Sequence, residues 1–375
     1  MKYSLFFLLL IALTFSCIDD YKATTLPYST SVLVVEGFIT NQTQADTLLI
    51  SFSKAVENNT EISPVTGCVA SIITDDGASF SLKEATGGKY YTPSTLRGKI
   101  GKSYQLKFIT PNGNSYESSM DKMNTTPPIV KVYDTFEPKA VANVKGTLYK
   151  SANQVYIDVQ DPANEVNFYL WRYLHFEKVP YCITCETGIL LNDGVTCQKV
   201  APRFNQQAPT YDYQCAGDCW DIIWGNSLNV FSDINSNGNI IKGRQVANIP
   251  FYTTASGAVV EIQQYGISAD GYRFFKLLSQ QGQSTGSLTD TPPAAIVGNI
   301  KNVNNNLEPV VGFFGAAAVR KVQYYLDRAN ATGPTDRILG HEPNLEPYTP
   351  SGRPPFAKCL LSTIRTPTRP DGWPK

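Results

Sequence analysis

Apolar residues recur at every second position through most of this chain, which predicts strands with one or two covered faces rather than helices. Ser31 to Thr40 (SVLVVEGFIT) and Thr47 to Ser53 read as strands, with Leu48, Ile50 and Phe52 on one face of the second. Ala70 to Thr74 and Ser79 to Lys83 flank Asp75-Asp76-Gly77, and Tyr104 to Thr110 and Ser115 to Ser119 flank Pro111-Asn112-Gly113-Asn114. Both arrangements predict tight hairpins. Strands at this spacing suggest a small β-sandwich over residues 31–126. Thr125-Thr126-Pro127-Pro128 then breaks the pattern and is taken as a domain boundary.

A second β-rich domain is expected over residues 129–330. Gln154 to Gln160 is strand-like, and Asn167 to Lys178 (NFYLWRYLHFEK) is unusually long. In the latter, Phe168, Leu170, Leu174 and Phe176 lie on one face and Tyr169, Trp171, Tyr173 and His175 on the other, so both faces should be partly covered. Val259 to Tyr265 is another strand. Ser268 to Gln281 is the one convincing helix, with Ser268 as cap, Asp270 in the first turn, and Tyr272, Phe275 and Leu278 sharing a face. Val310 to Val319 reads as a buried strand, too short to cross a bilayer. From 331 to 375 the chain is loop-like, with eight prolines from Pro343 to Pro374.

Composition adds to this picture in three ways. The 21 Tyr, 18 Phe, 27 Gly and 24 Pro residues against 3 Met support a mainly β chain. The 32 basic residues balance 32 acidic ones, so there is no footprint for nucleic acid and no polybasic membrane patch. The first 16 residues resemble a signal peptide: Lys2 precedes an apolar run from Leu5 to Leu13, too short to span a bilayer. Ser16-Cys17 supplies the small residue and thiol of a lipoprotein cleavage site, although Thr14 and Phe15 depart from the usual pattern. Cys17 is therefore the expected lipidation site, residues 17–30 an acylated tether, and the outer membrane the expected location.

Seven further cysteines carry most of the chemistry. Cys182, Cys185, Cys197, Cys215 and Cys219 fall within an insertion at 181–220, with Cys68 and Cys359 far away. Their spacings could chelate zinc, but an exported, loop-rich segment with little core favours disulfides, and at least two bridges are expected among the five. The odd total leaves at least one thiol unpaired or joined to another molecule, and connectivity stays open. His175 reads as a packed or surface residue, and His341-Glu342 lacks a metalloprotease spacing. Asp233-x-Asn235-x-Asn237-Gly238 copies half a calcium loop. Arg244 stands where the closing Glu belongs, so a plain turn is the better reading. Glu36, inside an apolar strand, is expected to pair structurally. No nucleophile elbow, phosphate loop or dinucleotide fingerprint is present, and no cofactor, metal or catalytic residue is expected.

The blocks LVVEGFIT (33–40), PVTGCVASIITDDG (64–77), GKYYTP (88–93), CWDI (219–222), SADGYRFFKLLSQQ (268–281), PPAAIVGNIKN (292–302) and EPVVGFFGAAAV (308–319) resemble a lipoprotein family of Bacteroidota. It is known as domain of unknown function 4249. The resemblance implies an Ig-like or carboxypeptidase-regulatory-like sandwich at the N-terminus and an outer-membrane lipoprotein encoded beside a TonB-dependent receptor. It supplies no catalytic residue. Asp19 and Asp20 are similar to the acidic export signal of such surface-facing lipoproteins, and Asp46-Thr47-Leu48 to their short O-glycosylation acceptor. The expected function is thus a non-enzymatic, surface-exposed accessory or ligand-binding partner of a TonB-dependent transporter, its ligand unknown. The alternative is a structural or adhesive surface protein. The partner-binding candidates are Tyr181, Tyr211, Tyr213, Trp220 and Trp224, aromatic types favoured at interfaces.

Overall fold

The computed structural model describes residues 31–56, 59–142, 148–163, 165–201, 208–252, 257–282, 296, 298–348 and 352–374. The expected signal peptide and the tether with Cys17, Asp19 and Asp20 lie outside the described residues. The first strands are β1 (Ser31–Thr40), β2 (Thr47–Val56), β3 (Asn59–Pro64), β4 (Val69–Thr74) and β5 (Ser79–Ser81). They are followed by β6 (Lys83–Glu84), β7 (Lys89–Tyr91), β8 (Ser103–Ile109), β9 (Ser115–Ser118) and β10 (Asp121–Lys122). The two expected hairpin turns share one device. The Thr74 hydroxyl donates to Asp76 and the Thr110 hydroxyl to Asn112, while Gly77 and Gly113 both take φ of +85°, a conformation that glycine adopts without steric cost.

Next come β11 (Ile129–Ala142), β12 (Tyr149–Gln160), β13 (Phe168–Lys178), β14 (Tyr181–Cys185), β15 (Gly188–Leu190) and β16 (Cys197–Lys199). The chain continues through β17 (Tyr211–Gln214), β18 (Trp220–Trp224), β19 (Asn229–Ser232), β20 (Ile240–Pro250) and β21 (Ala258–Ile267). Helix α1 (Ala269–Gly282) starts where expected, and the Gly271 N–H donates to the Ser268 hydroxyl at 3.1 Å. The last strands are β22 (Ile300–Asn302), β23 (Val310–Leu326) and β24 (Arg365–Thr366).

One 11-stranded sheet runs through the molecule in the order β24-β18-β13-β21-β23-β1-β2-β7-β6, with β19 on β13 and β3 on β2. Its centre is β23, which pairs parallel with β1 and antiparallel with β21. Side chains alternate across this sheet, and the two faces have different covers. On one face, Leu33, Val35 and Ile39 of β1 and Phe314, Ala316 and Ala318 of β23 share a core with the β22-β9-β8-β4-β5 sheet. Farther along that face, Val260 and Ile262 of β21 and Tyr169, Trp171 and Tyr173 of β13 pack against the β11-β12-β20 sheet. The opposite face carries α1 over Leu170, Ile267, Phe313 and Ala317. The chain is therefore mainly β with one helix among the described residues, as the alternation predicts.

The expected boundary at 125–128 does not separate two closed units. Ile300, Val310 and Phe314, from the far end of the chain, complete the N-terminal core, because β1 needs a second ladder partner and β23 supplies it. The prolyl segment itself is pinned: the buried Gln264 amide donates to the Thr126 hydroxyl and to the Pro127 carbonyl, and accepts from the Trp171 indole at 2.9 Å. The expected tail at 331–375 is loop-like but folded back. β24 extends the large sheet beside β18, and Trp373 packs edge-on against Trp220 and Tyr325.

A buried carboxylate pair lies where β13 begins. Asp161 accepts from the Tyr169 hydroxyl at 2.5 Å and the Gly238 N–H at 3.0 Å; Asp233 accepts from the Asn167 N–H at 2.8 Å. Both are essentially without solvent exposure, and Asp233 Oδ2 has no hydrogen-bond partner among the described residues. Burial pushes the Asp233 carboxyl up to about 6, and the neighbouring Asp161 carboxyl adds to the rise against the opposing Asn167 N–H. An acid with a raised folded pKa binds its proton in the fold before it does so unfolded. Its stabilisation is complete below the unfolded pKa near 4 and is lost as pH rises through about 6. Asp233→Asn mimics the protonated form. It should raise the unfolding free energy at pH 7.5 by on the order of 2 kcal/mol and by little near pH 4. Urea titrations of both proteins at the two pH values check this; equal stabilities at pH 7.5 would refute it.

Candidate functional site

The cysteine-rich insertion forms a small knob on the β13–β18 side of the large sheet. β14 pairs with β17 and β15 with β16, and neither ribbon is long enough to bury a core by itself. Half-cystines fill that role. Cys182 is bonded to Cys215, Cys185 to Cys197, and Cys219 to Cys359, so two bridges lie within the insertion and the third clamps the tail. Cys182, Cys185 and Cys219 pack with Val179, Leu190, Tyr213 and Ala357 in a satellite core. The sulfurs of Cys182, Cys215 and Cys219 lie within 4.8 Å of one another, a zinc-like grouping, but each is spent in a disulfide and offers no thiolate. Among the described residues Cys68 is the free thiol, buried in the N-terminal core and pushed up from its ordinary pKa, chiefly by burial.

The tail is laid onto the knob by a carboxylate. Asp212 is buried and accepts from the Asn344 N–H at 2.8 Å, the Thr184 hydroxyl at 2.7 Å and the His341 ring at 3.1 Å. Burial by itself would raise the Asp212 carboxyl; these donors outweigh it and hold it below its ordinary value. His341 thus helps to hold the tail to the knob, a role that was invisible without the fold. Backbone bonds from Ala357 to Gln214 and from Lys358 to Gly194 complete the attachment.

This construction sorts the aromatic candidates. Tyr213 and Trp220 are buried: the Tyr213 hydroxyl donates to Glu346 and accepts from the Leu190 N–H, and Trp220 packs on Trp373. Neither can touch a partner, which corrects that part of the expectation; bulky rings were needed to fill a core poor in aliphatic residues. Tyr181 and Tyr211 are half-buried. Trp224 is 56% exposed at the end of β18. Sequence reasoning missed the returning tail, where Leu360, Leu361 and Ile364 are exposed, Leu361 by 75%. Ile222 N–H donates to the Ile364 carbonyl, which sets Ile364 beside β18, the strand that ends in Trp224. A lone exposed leucine means little, whereas several exposed apolar side chains on one segment are less usual.

A second feature lies on the α1 face of the large sheet. A cavity of about 230 Å³ is bounded below by Phe38, Tyr265 and Phe313 and on one side by Phe274 and Phe275 of α1. Phe38 and Phe275 stack with centroids 5.7 Å apart. Gly315 lies beneath Phe38, and a Cβ there would come within 2.7 Å of that ring, so glycine is what lets the floor lie flat. Arg172 and Glu36 are at the rim, with Asp46, Thr47 and Leu49 beyond. Glu36 is exposed here and, among the described residues, does not make the expected structural pairing, because the neighbouring strands put its position on the open part of this face. Asp46 is held by the Thr40 N–H at 2.8 Å and hydroxyl at 2.7 Å; burial raises its pKa above the ordinary value. Thr47 is exposed at the start of β2.

The remaining motifs resolve as structure. His175 is buried beside Glu177, which Arg328 grips with two bonds of 2.7 and 2.6 Å. Residues 234–238 are consecutive turns, with Gly238 at φ +79°. Asn235 and Asn237 are exposed, while Asp233 is turned inward to the Asn167 amide, so the calcium-like spacing does not converge its oxygens. A family model described as Domain of unknown function (DUF4249) matches residues 18–323, most of the chain. No curated protein and no solved structure matches it.

Proposed function

The chain belongs to the DUF4249 family, and from that premise we propose that it is a surface-exposed outer-membrane lipoprotein acting as a non-enzymatic accessory of a TonB-dependent transporter. The observation that carries the docking part is the apolar edge of the knob. Trp224 stands exposed at the end of β18, and Leu361 and Ile364 on the tail segment that the Cys219–Cys359 bond and the β18–β24 pairing brace against it. Rigid, pre-ordered apolar groups lose little entropy on association, and this favours a partner protein over a solvated loop. The family resemblance supports a transporter as that partner. The alternative, a structural or adhesive cell-surface protein, has no comparable observation in its favour.

Anchoring is tested first. Cys17→Ser should abolish lipid labelling and move the protein out of the outer-membrane fraction. Unchanged outer-membrane fractionation without lipid label would defeat the anchor. Docking is tested with Leu361→Asp, which places a charge in the exposed edge without touching the core. The variant should fold normally by circular dichroism and lose at least about tenfold in receptor affinity. Undiminished receptor capture would remove this edge from the contact.

A further inference from the structure

The cavity beside α1 has a charge pattern that the docking edge does not explain. Arg172 extends from β13 across the sheet, its guanidinium carbon 5.6 Å from the Tyr265 ring centroid and 5.7 Å from that of Phe38. Among the described residues no carboxylate lies within ion-pair distance of it; its charge is met by two aromatic faces. A guanidinium held this way keeps its planar fork of N–H donors for an incoming carboxylate. Glu36 also lines the cavity and is exposed, and the half-buried Asp46 lines it as well. A simple anion entering the cavity would meet these carboxylates, and a simple cation would meet Arg172. A ligand carrying both charges would satisfy both kinds of group.

The spacing narrows the class. Glu36 lies two residues from Phe38 on the same face of β1, roughly 7 Å along the strand, and the Arg172 guanidinium lies over Phe38. A residue extends at most ~3.6 Å, so two or three residues separate an ammonium from a carboxylate by that amount. A cavity of about 230 Å³ is smaller than ordinary drug-sized sites and suits a molecule of this size. The floor of Phe38, Tyr265 and Phe313 would take an apolar or aromatic side chain.

We propose that this cavity binds a short zwitterionic peptide, its terminal carboxylate on Arg172, its ammonium toward Glu36, and an apolar side chain on the aromatic floor. Such a site stands whether or not the chain docks on a transporter, since every group it uses belongs to this chain.

Calorimetric titration of the full lipidated protein in detergent with three probes tests it: the dipeptide Ala-Phe, its N-acetyl form and its C-terminal amide. Ala-Phe should bind saturably, and blocking either end should weaken it at least about tenfold. Arg172→Gln should erase the difference between Ala-Phe and its amide, and Glu36→Gln the difference between Ala-Phe and its acetyl form. The three probes are compared within the unaltered protein, so that comparison is independent of any variant's folding, and each variant must keep the circular dichroism spectrum and the residual Ala-Phe binding of a folded protein. No saturable binding of Ala-Phe at millimolar concentration, or equal binding of all three probes, would overturn the proposal. Loss of receptor capture with Ala-Phe binding retained would overturn the docking reading alone.

Discussion

Replacing Cys219 and Cys359 together by serine should lower the unfolding free energy by about 5 kcal/mol, the largest effect of any disulfide in the protein. The bond closes a loop of sequence separation 140, and neither other bridge lies inside that loop. In the chain-entropy account the unfolded ensemble therefore gains most from its removal. The Cys185–Cys197 bond, with separation 12, should cost only about 3 kcal/mol by the same reasoning. The folded state loses too, because Cys219 is buried in the satellite core, and Trp373 and β24 are held near Trp220 through this clamp. Guanidinium unfolding of the two double variants, followed by tryptophan fluorescence, gives both numbers. A Cys219–Cys359 variant no less stable than the Cys185–Cys197 variant would contradict the account of the tail as part of the fold.

The second large effect is expected at the buried ion pair behind β13. Glu177 is wholly buried, both its oxygens accept from Arg328, and His175 Nδ1 lies 3.0 Å from Oε1. Arg328 also donates to the Pro250 carbonyl at 3.0 Å and lies over the Tyr252 ring. This joins β13 to β20 and to the end of β23. Glu177→Gln keeps the shape but strips the negative charge, leaving a guanidinium in a low-dielectric site. It should cost about 3–5 kcal/mol. Replacing both partners, as in Glu177→Leu with Arg328→Met, should recover most of that loss, since desolvation no longer has to be offset. Equilibrium denaturation of the single and double variants measures the coupling. A double variant no better than the single one would place the cost in packing rather than in charge.

Local features of the fold were legible because neighbours in sequence create them. β1 matches its expected span, since Leu33, Val35 and Ile39 alternate toward one core, and the helix begins at its Ser268 cap. The Thr-x-Asp-Gly and Thr-x-Asn-Gly turns carry their own hydrogen bonds. What the sequence concealed was distant pairing. Nothing near Leu33 announces that Val310 lies beside it in a parallel ladder, so the chain looked like two domains rather than two packed layers on one shared sheet. The tail was opaque for a related reason: its contacts run through backbone groups, one cysteine and the buried Asp212, none of which makes a periodic pattern. Of the docking edge, Trp224 was visible and Leu361 and Ile364 were not. Of the cavity, Glu36 drew notice, whereas Arg172 appeared only as one polar position in a long strand.

The central claim, that this chain works as the surface partner of a transporter, rests on one direct measurement. The affinity-tagged, lipidated protein is captured from gently solubilised outer membranes after brief cross-linking in intact cells, and its partners are identified by mass spectrometry. The account predicts a TonB-dependent receptor as the dominant partner, in near-equal amount and lost with Leu361→Asp. Capture of the protein free of any such receptor, or with equal recovery from the variant, would contradict it.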